Sequence, residues 1–101
     1  MSDDVVQIIV AATRELAAEQ GIEIDSALDG NTRLFGEGGL LDSMALVSLV
    51  IAVEQTLEER YAVGVALADE KALSQRSSPY RTIGTLAAYA AQELAARRKS
   101  G

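Results

Sequence analysis

Three stretches of this chain repeat apolar residues at the spacing of an α-helix, and that pattern governs what it can fold into. Val5, Ile9, Ala12, Leu16 and Ala17 form the first stripe; Leu46, Leu49, Val50, Val53 and Leu57 the second; Ile83, Leu86, Ala87, Ala90 and Leu94 the third. Each stripe has to be buried against another, and 101 residues leave room for one small domain in which to do it. A single proline, Pro79, and an abundance of Ala, Leu, Glu and Gln also favour helices over strands. The expected fold is all-α: a small bundle of three main helices plus one short helix, with a long first loop. One domain spans 1–101, with a core of about 3–96 and a basic tail at 97–101.

The boundaries come from capping chemistry. The first helix is expected from about Asp3 to Gln20, with Ser2 as N-cap, Asp3 and Asp4 at the positive end of the dipole, and Gly21 just past the end. The second is expected from Ser43 to about Arg60, and the last from an N-cap at Thr82. Tyr61 to Leu67 reads as extended, Asp69 to Leu73 as one or two helical turns, and Ser77-Ser78-Pro79 as a break. The connection from Ile22 to about Asp42 holds Asp29-Gly30 and Gly36-Glu37-Gly38-Gly39. A connection that long is uncommon in a small domain unless it has a job or short structure of its own.

Composition removes whole classes of chemistry. Histidine and cysteine are absent, so disulfides, Cys/His zinc sites, thiol nucleophiles and Ser-His-Asp triads are excluded. No catalytic residue and no metal site is expected, and the chain is not read as an enzyme. Aromatics are only 4% of the residues, which predicts an aliphatic core. Residues 1–59 carry twelve Asp/Glu against Arg14 and Arg33, whereas residues 60–101 carry three acids against seven Lys/Arg. An acidic first half disfavours nucleic acid and anionic lipid and favours basic protein surfaces, although solubility alone also accounts for it. The chain begins Met1-Ser2-Asp3-Asp4, acidic where a signal peptide is basic. Its longest apolar run, Met44 to Val53, is interrupted by Ser48 and too short to span a bilayer, so the expected location is the cytoplasm.

The second helix has more apolar residues than one stripe needs. Met44, Val47 and Ile51 follow helical spacing on a face offset from the core stripe. Either this helix is buried on two sides, or the face is an exposed patch kept for a partner. The patch begins beside Asp42-Ser43. Asp and Ser are preferred N-caps, and such a pair commonly does nothing more. A hydroxyl at a helix N-terminus is also well placed to hold a phosphate, because free N–H groups and the dipole stabilise the anion there. Flanking glycines would lower the bulk met by an approaching enzyme.

Leu34-Phe35-Gly36 followed by Gly39-Leu40-Leu41-Asp42-Ser43-Met44 resembles the attachment site of the acyl carrier protein family. In that family an Asp-Ser followed by Leu or Met opens the second helix. The resemblance runs from about Val5 to Leu94: Val63-Gly64-Val65 into Asp69-Glu70 is similar to the loop entering the family's third helix, and Thr82-Ile83-Gly84-Thr85-Leu86-Ala87-Ala88-Tyr89 to its closing helix. It implies that Ser43, beside Asp42, is esterified by the 4′-phosphopantetheine arm of coenzyme A through a separate phosphopantetheinyl transferase. It also implies that the arm brings the thiol this chain lacks and carries an acyl group as a thioester between acyl-loading and acyl-accepting enzymes. Met44, Val47 and Ile51 match positions that family members present to partners, and Glu54 falls where their second helix commonly turns acidic. The carrier is expected to be a monomer and to catalyse nothing.

One departure bears on pathway. Ala45, Ser48 and Gln55 align with positions that are acidic in many fatty-acid carriers, while acid remains at Asp42, Glu54, Glu58 and Glu59. The implied protein is a carrier for a dedicated biosynthetic pathway, with a D-alanyl or peptidyl carrier as the nearest alternative. A different class also stays open: an unmodified helical adaptor that docks through Met44, Val47 and Ile51, with Ser43 only a cap. Other signals are weak. Asp25, Asp29 and Gly30 fit part of a calcium loop, but Ala27 and Gly36 fall where ligands are required, so a turn is expected. The glycine cluster lacks the lysine and preceding strand of a phosphate-binding loop.

Overall fold

The computed structural model describes residues 2–24, 27–35, 39–67 and 79–100, with the side chains of 2, 3, 43 and 97–100 outside that description. Three helices carry the three stripes: α1, Ser2–Gln20; α2, Ser43–Tyr61; and α3, Ile83–Ser100. The short helix expected at Asp69 to Leu73 lies outside the described residues. All fifteen stripe residues are buried, so the 3.6-residue period located the inner face of every helix. A radius of gyration of 12.8 Å is about what one domain of 100 residues has.

α1 is the shared wall of the bundle. It packs along both α2 and α3, whereas the backbones of α2 and α3 make no close approach to each other. Leu34, Leu41, Leu67 and Tyr80, from the connecting segments, are buried in the same core as the helix stripes. The buried core is built of Leu, Val, Ile and Ala as expected, with Tyr80 the one buried aromatic among the described residues and the largest fully buried side chain of them. Its ring meets Tyr89 edge-to-face with centroids 6.4 Å apart, and its hydroxyl donates to the Leu67 carbonyl. A buried tyrosine needs such a partner, because an unsatisfied hydroxyl there costs about 1–3 kcal/mol. Thr13 is the other buried polar residue among those described, and its Oγ1 donates to the Ile9 carbonyl at 2.7 Å.

The helix ends follow local chemistry, with two adjustments. Gly21 takes a left-handed φ of 70° after α1, as expected of a C′ glycine. Thr82 caps α3 through Oγ1, which accepts from the Thr85 N–H at 3.0 Å. α1, however, already includes Ser2, which was expected outside it as the cap. α2 continues one residue beyond Arg60 and ends at Ala62, which adopts φ 56° and donates its N–H to the Glu58 carbonyl. α3 runs on to Ser100, so the basic residues 97–99 lie in its last turns.

Short structure inside the long first connection explains its length. Asp29 organises a turn in which its Oδ1 accepts from the Asn31 N–H at 2.9 Å and its carbonyl accepts from the Thr32 N–H. That confirms a turn at Asp29. Arg33 and Thr82 then form an antiparallel bridge. Leu34 N–H donates to the Arg81 carbonyl, Ile83 N–H to Thr32 and Gly84 N–H to Gly30, at 2.8–3.0 Å. The loop before α2 is thereby sewn to the first residues of α3. No described helix is long and apolar enough to cross a membrane.

Candidate functional site at the start of α2

Leu34 and Leu41 are the buried ends of a loop that folds back on itself. Leu41 N–H donates to the Leu34 carbonyl at 2.8 Å and Leu40 N–H to the Arg33 carbonyl at 3.1 Å. The two segments approach so closely at Gly39 that a Cβ there would stand 2.8 Å from the Phe35 backbone. Gly39 is therefore required by the loop's internal packing, a different reason from the clearance for an approaching enzyme expected from the sequence. Gly36 and Gly38 lie outside the described residues.

This loop delivers Asp42 in extended geometry (φ −81°, ψ 179°) as the N-cap of α2. Its Oδ1 accepts from the Ala45 N–H at 2.8 Å, and its carbonyl accepts from the Leu46 N–H at 2.9 Å. Capping therefore belongs to Asp42, and Ser43 is the first helical residue. The reading of Ser43 as only a cap is corrected on this point. Asp42, expected in the cofactor-binding site beside Ser43, has its carboxylate engaged with the helix it opens.

Along the outer face of α2 the structure leaves Met44 82%, Ile51 44% and Val47 41% exposed; they are the large hydrophobic residues left exposed among those described. Of the two readings of that second stripe, burial on both sides is ruled out. Ser48 and Gln55 share this exposed face, and Glu58 and Glu59 continue it toward the C-terminus. Ala45 does not. It is 2% exposed and sits in the core, so grouping it with Ser48 and Gln55 as an outward position is corrected. Its place is about 100° around the helix from Met44, toward the packed side.

Glu54 has a task inside the molecule. It is half-buried, and its Oε2 accepts from the Leu67 N–H at 2.5 Å. Sequence reasoning placed Glu54 among acids offered to partners and missed this bond. The available signal was the company it keeps: Val50 four residues before and Leu57 three after both belong to the core stripe, which sets Glu54 on the edge of the buried face. Tyr80 was missed as well; it follows Pro79 and stands two residues before the α3 cap.

The chain matches no family model, no curated protein and no solved structure.

Proposed function

We propose that this protein is an acyl carrier whose Ser43 hydroxyl is the attachment point for 4′-phosphopantetheine. The observation that carries the reading is the start of α2, where an aspartate cap is followed by Ser43 as the first helical residue. The exposed apolar row Met44, Val47 and Ile51 begins at the very next position. Phosphate esterified at a helix's first residue is favoured by the positive end of the dipole. With Asp42 and Met44 both exposed on either side of Ser43, this helix start is open to a transferase.

When attached, the arm would supply the thiol that holds an acyl group as a thioester. The chain's own residues do the rest. Asp42 holds the first turn of α2, and Met44, Val47 and Ile51 offer apolar surface to the enzymes that load and unload the arm. Ser48 and Gln55 leave the middle of that face uncharged, which favours partners of a dedicated pathway over those that read strong acids there. The anchor is formed by attack of the Ser43 oxygen on the β-phosphorus of coenzyme A. A new P–O bond forms, the pyrophosphate bridge breaks, adenosine 3′,5′-bisphosphate leaves, and the transferase takes the hydroxyl proton.

Intact mass after incubation with coenzyme A, magnesium and a broad-specificity phosphopantetheinyl transferase tests this. The expected result is a gain of one phosphopantetheine unit in the native chain and none in Ser43→Ala. A folded native chain that gains nothing, with partner binding retained in Ser43→Ala, points instead to an unmodified adaptor using the same apolar face.

A further inference from the structure

Leu67 is held at every group it has. Its side chain is fully buried, its N–H donates to Glu54 Oε2 on α2, and its carbonyl accepts from the Tyr80 hydroxyl just ahead of α3. Residues 63–67, which lead to it, form a strap after α2. Val63 and Val65 are half-buried while Gly64 and Ala66 face out, the alternation of a segment laid against a surface. Glu54 shares a helix edge with Ile51, three residues before it, and with Val47, seven before it. The strap therefore ends along the flank of the exposed apolar row. α2 and α3 have no close backbone contact of their own, so Leu67 is one place where their positions are tied together.

We propose that Glu54 and Tyr80 form a two-point latch on Leu67, and that Glu54 is a positioning residue for the Met44–Ile51 face rather than a charge read by partners. The two roles make opposite demands on Glu54. A latch needs an acceptor oxygen at that position and does not need a charge. A partner-reading acid needs the charge. Glu54→Gln keeps an oxygen and drops the charge, whereas Glu54→Ala drops both.

Hydrogen exchange at the Leu67 amide, followed by NMR in the full chain, tests the latch directly and is independent of the carrier reading. Glu54→Gln is expected to exchange within about threefold of native, and Glu54→Ala at least about tenfold faster, as for an N–H that loses its acceptor. Tyr80→Phe keeps the ring and removes only the hydroxyl; it is expected to accelerate the same amide and keeps the test available if Glu54→Ala does not fold. Equal exchange in native, Glu54→Ala and Tyr80→Phe overturns the latch. The positioning role rests on the carrier reading and is read from the rate of phosphopantetheine transfer. Rates that are native in Glu54→Gln and reduced in Glu54→Ala support it. Equal losses in both, with a weakened salt dependence, identify a partner-read charge and overturn it. If the native chain takes no phosphopantetheine, the carrier reading falls while the exchange result still decides the latch.

Discussion

At the residue scale, Asp42 and Ser43 divide the work that the sequence leaves shared between them. Asp42 satisfies an N–H of the first turn, and Ser43 sits one position inside the helix. Asp42→Ala is therefore expected to cost about 1 kcal/mol, the usual loss when a capping oxygen is removed, and to lower the midpoint of urea unfolding. Ser43→Ala leaves the Asp42 cap in place and is expected to stay within about 0.5 kcal/mol of native in the same titration. A loss for Ser43→Ala as large as that for Asp42→Ala would return the capping role to Ser43. The pair was legible as a helix start because Asp and Ser have known preferences there. Which of them caps depends on where the preceding loop lets the chain enter the helix, and that is set by the Leu34–Leu41 and Arg33–Leu40 hydrogen bonds. Ala45 and Glu54 failed for the same kind of reason. Alanine is small enough for either face, and an acid on the edge of a stripe reveals its partner only when the strap is in place.

At the scale of elements, periodicity served well because burying a 3.6-residue stripe dominates the energetics of a small helix. The stripe does not say how a helix stops, and α2 stops in an unexpected way. Ala62 adopts the left-handed conformation with φ 56°, a geometry glycine takes freely and a residue with a Cβ does not. The steric cost is about 1–2 kcal/mol, while glycine loses about 0.4–1 kcal/mol more chain entropy on folding. Ala62 is exposed, so its methyl contributes little packing to set against this. Ala62→Gly is therefore expected to stabilise the protein by about 0.5–1 kcal/mol in equilibrium unfolding. A variant less stable than native would mean that the end of α2 is held by contacts the cap geometry does not represent.

For the whole molecule, the decisive feature is how much converges on residues 79–84. Arg81 receives Leu34, Tyr80 reaches Leu67, and Thr32 and Gly30 receive the first amides of α3. The turn that feeds the candidate attachment site, the strap beside the apolar face and the third helix thus share one short stretch of backbone. None of this was legible in the sequence, because each bond joins residues more than ten positions apart, and all but the one from the Tyr80 hydroxyl run between main-chain groups that every residue carries. Gly84 exposes the dependence. Its N–H lies 2.8 Å from the Gly30 carbonyl oxygen, and a Cβ added at Gly84 would stand 2.7 Å from that same oxygen. Two effects then oppose one another in Gly84→Ala. Helix propensity favours alanine by up to about 1 kcal/mol, and less than that in the first turn of α3. Against it, the Gly30 carbonyl has to move away, which loosens the bridge and costs about 1–3 kcal/mol for a contact with backbone that has no rotamer to change. The clash is expected to win, leaving Gly84→Ala destabilised by about 1–2 kcal/mol. Its exchange protection should fall at Leu34, Ile83 and residue 84 together, because their amides depend on one bridge. If the variant were as stable as native and lost protection at residue 84 alone, the loop before α2 would be positioned by its own packing, not by α3.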